Sequence, residues 1–245
     1  MKKPRFFPFF TLLFFFCFSF SSADVSTAER DVLRPGGRGD SGGGCVRGSG
    51  NSSTTRRAVS FFDSINVDGP VDVFVSAGLR ELSVEVSGDN NLHSHLITET
   101  RGKTLYLSQR GAVCPKKGLK VSVFTDTIRT IDAAGTSTVK VSGLTNSHLL
   151  VRIKGSVDLR GIGETEKLVV EARGAADLNL RALKARFVTI SATGSSDAVV
   201  YASNVLDAKV EGAGDVTYYG NPPVVFKKIS GAGDLTKGKE LTGTD

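Results

Sequence analysis

Near its end the chain reads EGAGDVTYYG (211–220), and nineteen residues after the first Gly-Ala-Gly-Asp comes a second, in SGAGDLTKG (230–238). Such a pair is either a ligand loop or one corner of a repeating structure. Neither copy continues into Gly-Lys-Ser/Thr or opens a helix, which argues against a nucleotide-phosphate cradle. The repeat, by contrast, extends far upstream. One glycine per unit stands at Gly135, Gly155, Gly174, Gly194, Gly212 and Gly231, with steps of 20, 19, 20, 18 and 19. An aspartate follows five of these glycines at the third place: Asp158, Asp177, Asp197, Asp215 and Asp234. Thr138 holds that place in the first unit.

The flanks keep the same phase. Two residues before each glycine stand Ala133, Ile153, Ala172, Ala192, Val210 and Ile229, and four after it Val139, Leu159, Leu178, Ala198, Val216 and Leu235. All are apolar, whereas the positions one and three before the glycine are mostly polar or charged. That is period-two alternation entering and leaving a corner, the pattern of strands with one buried face. Gly69 repeats it, with Ile65 and Val67 before and Asp72, Val73 and Val75 after. Between 77 and 130 the strict register lapses while strand-like alternation persists, as expected of a cap or of irregular coils.

A unit of nineteen or twenty residues is too short for a helix pair or a propeller blade. It suits one coil of short strands that buries its apolar face only against its neighbours. The expected fold is therefore all-β, a right-handed parallel β-helix, with the hand taken from the rule for parallel crossovers. An antiparallel sandwich would explain the alternation. It would not explain why glycine and aspartate recur in one phase.

The chain's other end has a different character. Lys2, Lys3 and Arg5 precede an almost wholly apolar run, Phe6–Phe20, and small residues before Asp24. This is the plan of a secretory signal peptide over 1–23, with a run short for a membrane span. Cleavage would remove three of the 31 basic residues and none of the 25 acidic ones, leaving 28 against 25, a net charge of +3. No basic stripe then argues for nucleic acid. Residues 24–57, rich in Gly, Ser and Arg, read as a flexible arm, 58–238 as the β-helix and 239–245 as a polar tail. Cys17 lies in the leader without the small residues that precede a lipidated cysteine. Cys45 and Cys114 remain, either as one disulfide tethering the arm or as two independent thiols; spacing alone leaves both open.

Several stretches carry a resemblance: CVRGSGN (45–51), FDSINVDGPVDVFV (62–75), SGDNNLHSHLITETRGKTLYL (87–107), and the series GSVD, GSSD and GAGDVTYYGNP. Over roughly 45–238 they resemble the head GIN domain family, exported bacterial proteins that carry an auto-transporter adhesin label. The resemblance implies a parallel β-helix, in agreement with the periodicity, and no established catalytic or binding residues. Pro70 and Val71 depart from the small residues usual at the first corner, as Thr138 departs from Asp.

The remaining chemical candidates are weak. Stacked aspartates suggest calcium, but one carboxylate per coil falls short of six to eight oxygens. A turn role, with glycine at positive φ and aspartate accepting backbone N–H groups, accounts for the column better. Arg38-Gly39-Asp40 matches a short integrin-read tripeptide within a stretch dominated by those residue types. His93 and His95 are spaced to share a strand face, yet no further ligand accompanies them, which favours polar surface histidines. Lys154, Arg173, Glu211 and Lys228 should face outward with no consistent sign. No cofactor is expected, and no membrane-spanning segment in the mature chain. The sequence thus points to a non-enzymatic, adhesin-like module at the cell surface, in the periplasm or outside the cell, with a host or matrix protein or a glycan as partner. A carbohydrate-active β-helix enzyme and a purely structural envelope protein are the alternatives. A charged groove would favour the enzyme; sign-mixed flanks without a cleft would favour the binding module.

Overall fold

Strands dominate residues 44–239, the part of the chain that this computed structural model describes. The expected signal segment, Cys17, the front of the arm with Arg38-Gly39-Asp40, and residues 240–245 lie outside it. Strands β11 (Thr138–Gly155), β12 (Asp158–Gly174), β13 (Asp177–Gly194) and β14 (Asp197–Gly212) each make nearly one whole coil, from the residue after one corner to the glycine of the next. They pair in parallel, each glycine over its predecessor. Below them lies β10 (Thr130–Gly135). Above them lie β15 (Val216–Tyr219), β16 (Val224–Gly231) and β17 (Leu235–Lys237), so all six glycines stand in one column. The chain is a parallel β-solenoid of about five turns, as the phase of the repeat predicts.

The coil around Gly69 supports β10 and β11 from beneath, with β3 (Ser64–Asp68) under β10 and β4 (Asp72–Ser76) under β11. Below this coil, chain order and stacking order part company. Later in sequence, β7 (Thr104–Gln109) pairs in parallel with β3, and β9 (Leu119–Phe124) with β4. The base is then closed by reversed strands: β6 (Leu96–Arg101) against β7, β5 (Ser83–Asp89) against β9, and β2 (Ser52–Arg57) against β5. Residues 77–129 are thus an insert folded under the first coil. This is the cap that the loss of register suggests, built by antiparallel pairing.

Residues 44–57 correct the expected extent of the flexible arm. Within them β2 is a full strand, and β1 (Val46–Arg47) pairs with β8 (Val113–Cys114). Composition misses β2 because SSTTRR is polar on both faces. Its order comes from a ladder to a strand thirty residues away and from side-chain bonds, Thr54 Oγ1 to Ser87 Oγ at 3.0 Å and Arg57 Nη2 to the His93 carbonyl at 2.7 Å.

Core columns run up the interior, one residue per coil. One of them is Leu105, Ile65, Ile131, Val151, Val170, Ile190 and Ala208, each at most 1% exposed. From Leu105 to Ala208 the column is apolar because no coil there has any other surface on which to bury that face.

The corner explains the glycines. Each of the six has φ between +84° and +127°. A Cβ on Gly155, Gly174 or Gly194 would also lie 2.6 Å from the carbonyl oxygen of the glycine below. Backbone twist and close stacking both demand glycine here.

Candidate functional site

The aspartates of the corner do different jobs along the stack. At the lower corners the aspartate N–H donates to a backbone carbonyl of the coil below: Asp158 to Ser137 at 3.0 Å, Asp177 to Val157 at 2.9 Å, and Asp197 to Ala176 at 2.8 Å. In the two Gly-Ala-Gly-Asp corners a carboxylate takes over as acceptor. Asp215 N–H donates to Asp197 Oδ1 at 2.8 Å, and Asp234 N–H to Asp215 Oδ1 at 2.9 Å. The second glycine of each motif fits this tighter turn. A Cβ on Gly214 would strike the Ser196 carbonyl, and one on Gly233 the Gly214 carbonyl. At lower corners the same place holds Val71, Ser137, Val157, Ala176 and Ser196, all buried. Val71 therefore fills the core at the first corner. Among the described residues, no three His, Cys, Asp or Glu side chains gather closely enough to share a cation.

A second cluster fastens the N-terminal end. Asp89 is wholly buried, and its carboxylate accepts three backbone N–H groups: Gly50 at 2.6 Å, Lys116 at 2.7 Å and Lys117 at 2.9 Å. The Lys117 bond, ahead of the opposing effect of burial, holds its carboxyl below the ordinary range, and the Gly50 and Lys116 bonds add to this. Gly48 packs so tightly on this carboxylate that a Cβ there would collide with it. Cys45 and Cys114 are joined as a disulfide beside the clamp, with Cα atoms 5.6 Å apart.

The histidines differ from expectation. His93 and His95 lie in a 3-10 helix (Asn90–His95), which removes the strand spacing that would align them. His93 is buried, its Nδ1 2.9 Å from Thr55 Oγ1, and His95 Nδ1 contacts the Arg110 carbonyl at 2.9 Å. Both serve the cap.

An open lateral cleft among the described residues was not singled out from the sequence. β11 to β14 bend where their register shifts, between Val141 and Leu144, Arg160 and Gly163, and Leu180 and Lys184. There a lateral cleft of about 570 Å³ opens. One column of its wall is Thr145, Glu164, Lys184 and Tyr201, continued upward by Tyr219. Beside it run Asn146, Thr165 and Ala185, with Glu166 and Arg186 next to them in sequence. Arg186 Nη1 lies 3.4 Å from Glu166 Oε1. Lys184 Nζ sits 3.7 Å from the Tyr201 ring centre, and the Arg181 guanidinium 3.9 Å from that of Tyr219. Asn146 is anchored by its Nδ2, 2.5 Å from the Ile128 carbonyl. The residues that line the cleft itself include two carboxylates and two cations, so the lining has no net formal charge, and its hydroxyl and amide groups offer both donors and acceptors. Lys154, Arg173 and Lys228 are exposed and Glu211 is half-buried, all on the coils outside this cleft; Glu211 pairs with Lys209 at 2.8 Å, and that bond lowers its carboxyl from the usual range.

Known proteins bear out the architecture. A solved structure described as a "putative adhesin" from Bacteroides fragilis is 18% identical, covering 78% of this chain and 99% of that one with a TM-score of 0.63. Another, a "putative lipid binding protein" from Parabacteroides distasonis, is 19% identical over 80% of this chain and 100% of that one, with a TM-score of 0.52. At such identities the likeness is one of fold. Among curated proteins none matches. The model of the family described as "Putative auto-transporter adhesin, head GIN domain" matches residues 61–222. With the glycine column, the capped base and that match over more than half its length, the chain belongs to the head GIN domain family.

Proposed function

We propose that this protein is an exported, non-enzymatic adhesin-like module of the cell surface or envelope, and that its lateral cleft binds a neutral glycan. The observation that carries the reading is the cancelled charge of the cleft. Glu164 and Glu166 against Lys184 and Arg186 give the lining no net charge and a dense set of donors and acceptors. Hydroxyl-rich ligands satisfy both kinds, and Tyr201 adds an aromatic surface. The volume lies within the range of small-molecule sites. The adhesin label of the family supports the same class of function.

A carbohydrate-cleaving enzyme is the second reading, because Glu164, Glu166, Lys184 and Arg186 gather in one cleft, the charged groove expected of such an enzyme from the sequence. Glu164 and Glu166 are two residues apart on one strand, which sets their Cα atoms about 7 Å apart on one face and supplies the two carboxylates that glycoside hydrolysis uses. Both are exposed, however, and Glu166 is engaged by Arg186, whereas a catalytic acid needs a dry site.

The test is a glycan array probed with the mature chain, followed by Tyr201→Ala and Glu164→Gln. Binding that falls at least about tenfold in both variants, with glycan mass unchanged after incubation, supports a binding module. Glycans shortened by the wild type and left intact by Glu164→Gln would establish the enzyme. Absence of any glycan signal, or binding indifferent to both changes, overturns the cleft assignment.

A further inference from the structure

The two ends of the stack are finished in different ways. At the base the strands reverse direction. At the C-terminal end β16 pairs only with β14, and β17 only with β15, so among the described residues the outer edge of β16 has no strand partner. The first three residues of that strand are apolar and open: Val224 and Val225 are 40% exposed and Phe226 59%. An exposed edge of this kind is a template on which another chain can add a strand. The most available chain of matching spacing is a second copy of this one.

The interior columns show what stands in the way. Two of them end in apolar residues, Val225 above Leu206 and Ile229 above Val210. The column between them rises through Val151, Val170, Ile190 and Ala208, and then ends in Lys227. Lys227 Nζ reaches across the corner to Asp234 Oδ1 at 3.0 Å and the Leu235 carbonyl at 3.4 Å. Its aliphatic stem follows the core column while its charge remains at the open end.

We infer that Lys227, held by Asp234, terminates the solenoid and prevents a second copy from seating on β16. A copy docked there would bury both charges, whose loss of water the pair's attraction does not reliably repay. Antiparallel pairing of two β16 edges adds a second obstacle. The central register that keeps Val225 and Ile229 inside sets Lys227 opposite its own copy, and like charges directly opposed destabilise a strand pair. Lys228, one residue on, lies in the outer column with Lys209 and lacks this role.

Sedimentation velocity of the mature, disulfide-intact chain over a concentration series tests the inference, with hydrogen exchange on residues 224–231 to locate any contact. The wild type should remain monomeric. Lys227→Val should associate, its mass rising about twofold or more with concentration while amides of 224–231 gain protection. Lys228→Val, which loses the same charge from the outer face, should stay monomeric. Lys227→Met, which keeps the stem and removes the charge, should associate like Lys227→Val and guards against a folding defect. Monomeric behaviour of both Lys227 variants overturns the inference. So does a wild type that already associates with protection at 224–231.

Discussion

Asp197 Oδ1 accepts the backbone N–H of Asp215 from the coil above at 2.8 Å, in the place where the corners below use a main-chain carbonyl. The repeated aspartate is therefore a hydrogen-bonding part of the corner, and its importance should depend on height in the stack. Asp197→Ala should cost about 1 kcal/mol, while Asp197→Asn, which keeps an acceptor oxygen, should cost little. Asp177→Ala should change stability by less than about 0.5 kcal/mol. Denaturant melts of the three variants decide it; equal losses at 177 and 197 would contradict the assignment.

Glycines of the corner should differ in the same graded way. Gly194→Ala combines a positive φ of +96° with a Cβ 2.6 Å from the Gly174 carbonyl, and should destabilise by about 3 kcal/mol. Gly69→Ala has a comparable φ of +92° but open space around its Cβ, so only the backbone strain remains, about 1–2 kcal/mol. The ordering, read from urea midpoints, is the critical outcome.

Acid should release the N-terminal end first. The backbone bonds to Asp89 depress its carboxyl pKa in the folded state. Its contribution is therefore complete above the unfolded value, about 3.9, and is lost as pH falls through the lower folded value. Hydrogen exchange of residues 44–51 and 114–118 should quicken below about pH 4 before the coils at 138–212 open. Asp89→Asn should abolish that pH step and leave these segments less protected at neutral pH.

The tether can be counted chemically. Without reduction, a chain of residues 24–245 should take up no alkylating agent at Cys45 or Cys114, and after reduction it should take up two. Two modified cysteines before reduction would exclude the bridge. The coils above the cap, which the bridge does not touch, should keep their exchange protection in Cys45→Ser.

Much of the fold was legible because one geometric demand recurs at every level. A corner that stacks backbone on backbone admits only glycine, so Gly135 to Gly231 mark the coils in phase. The cleft was hidden because its wall drifts out of that phase. Thr145, Glu164, Lys184 and Tyr201 lie 10, 9, 10 and 7 residues after their corner glycines, since bulges absorb a variable number of residues at the bend. Asp89 and β2 were illegible for another reason. Their partners, Gly50, Lys117 and Val86 among them, are distant in sequence and leave no periodic trace. The histidines misled because a 3-10 turn replaces the strand their spacing suggested.

The coil 64–76 is underpinned by residues 104–124 and built upon by residues 130–155, so nothing at the base depends on how many coils stand above it. A further unit of nineteen or twenty residues, spliced between Gly174 and Gly194, would lift everything beyond it by about 4.8 Å, the spacing of one strand pair. The Asp89 clamp and the Lys227 terminus would be unaltered. The distance between the two ends is thus a stepwise variable, adjustable one rung at a time by duplication, and a protein of this kind can change its reach without redesigning either its foot or its tip.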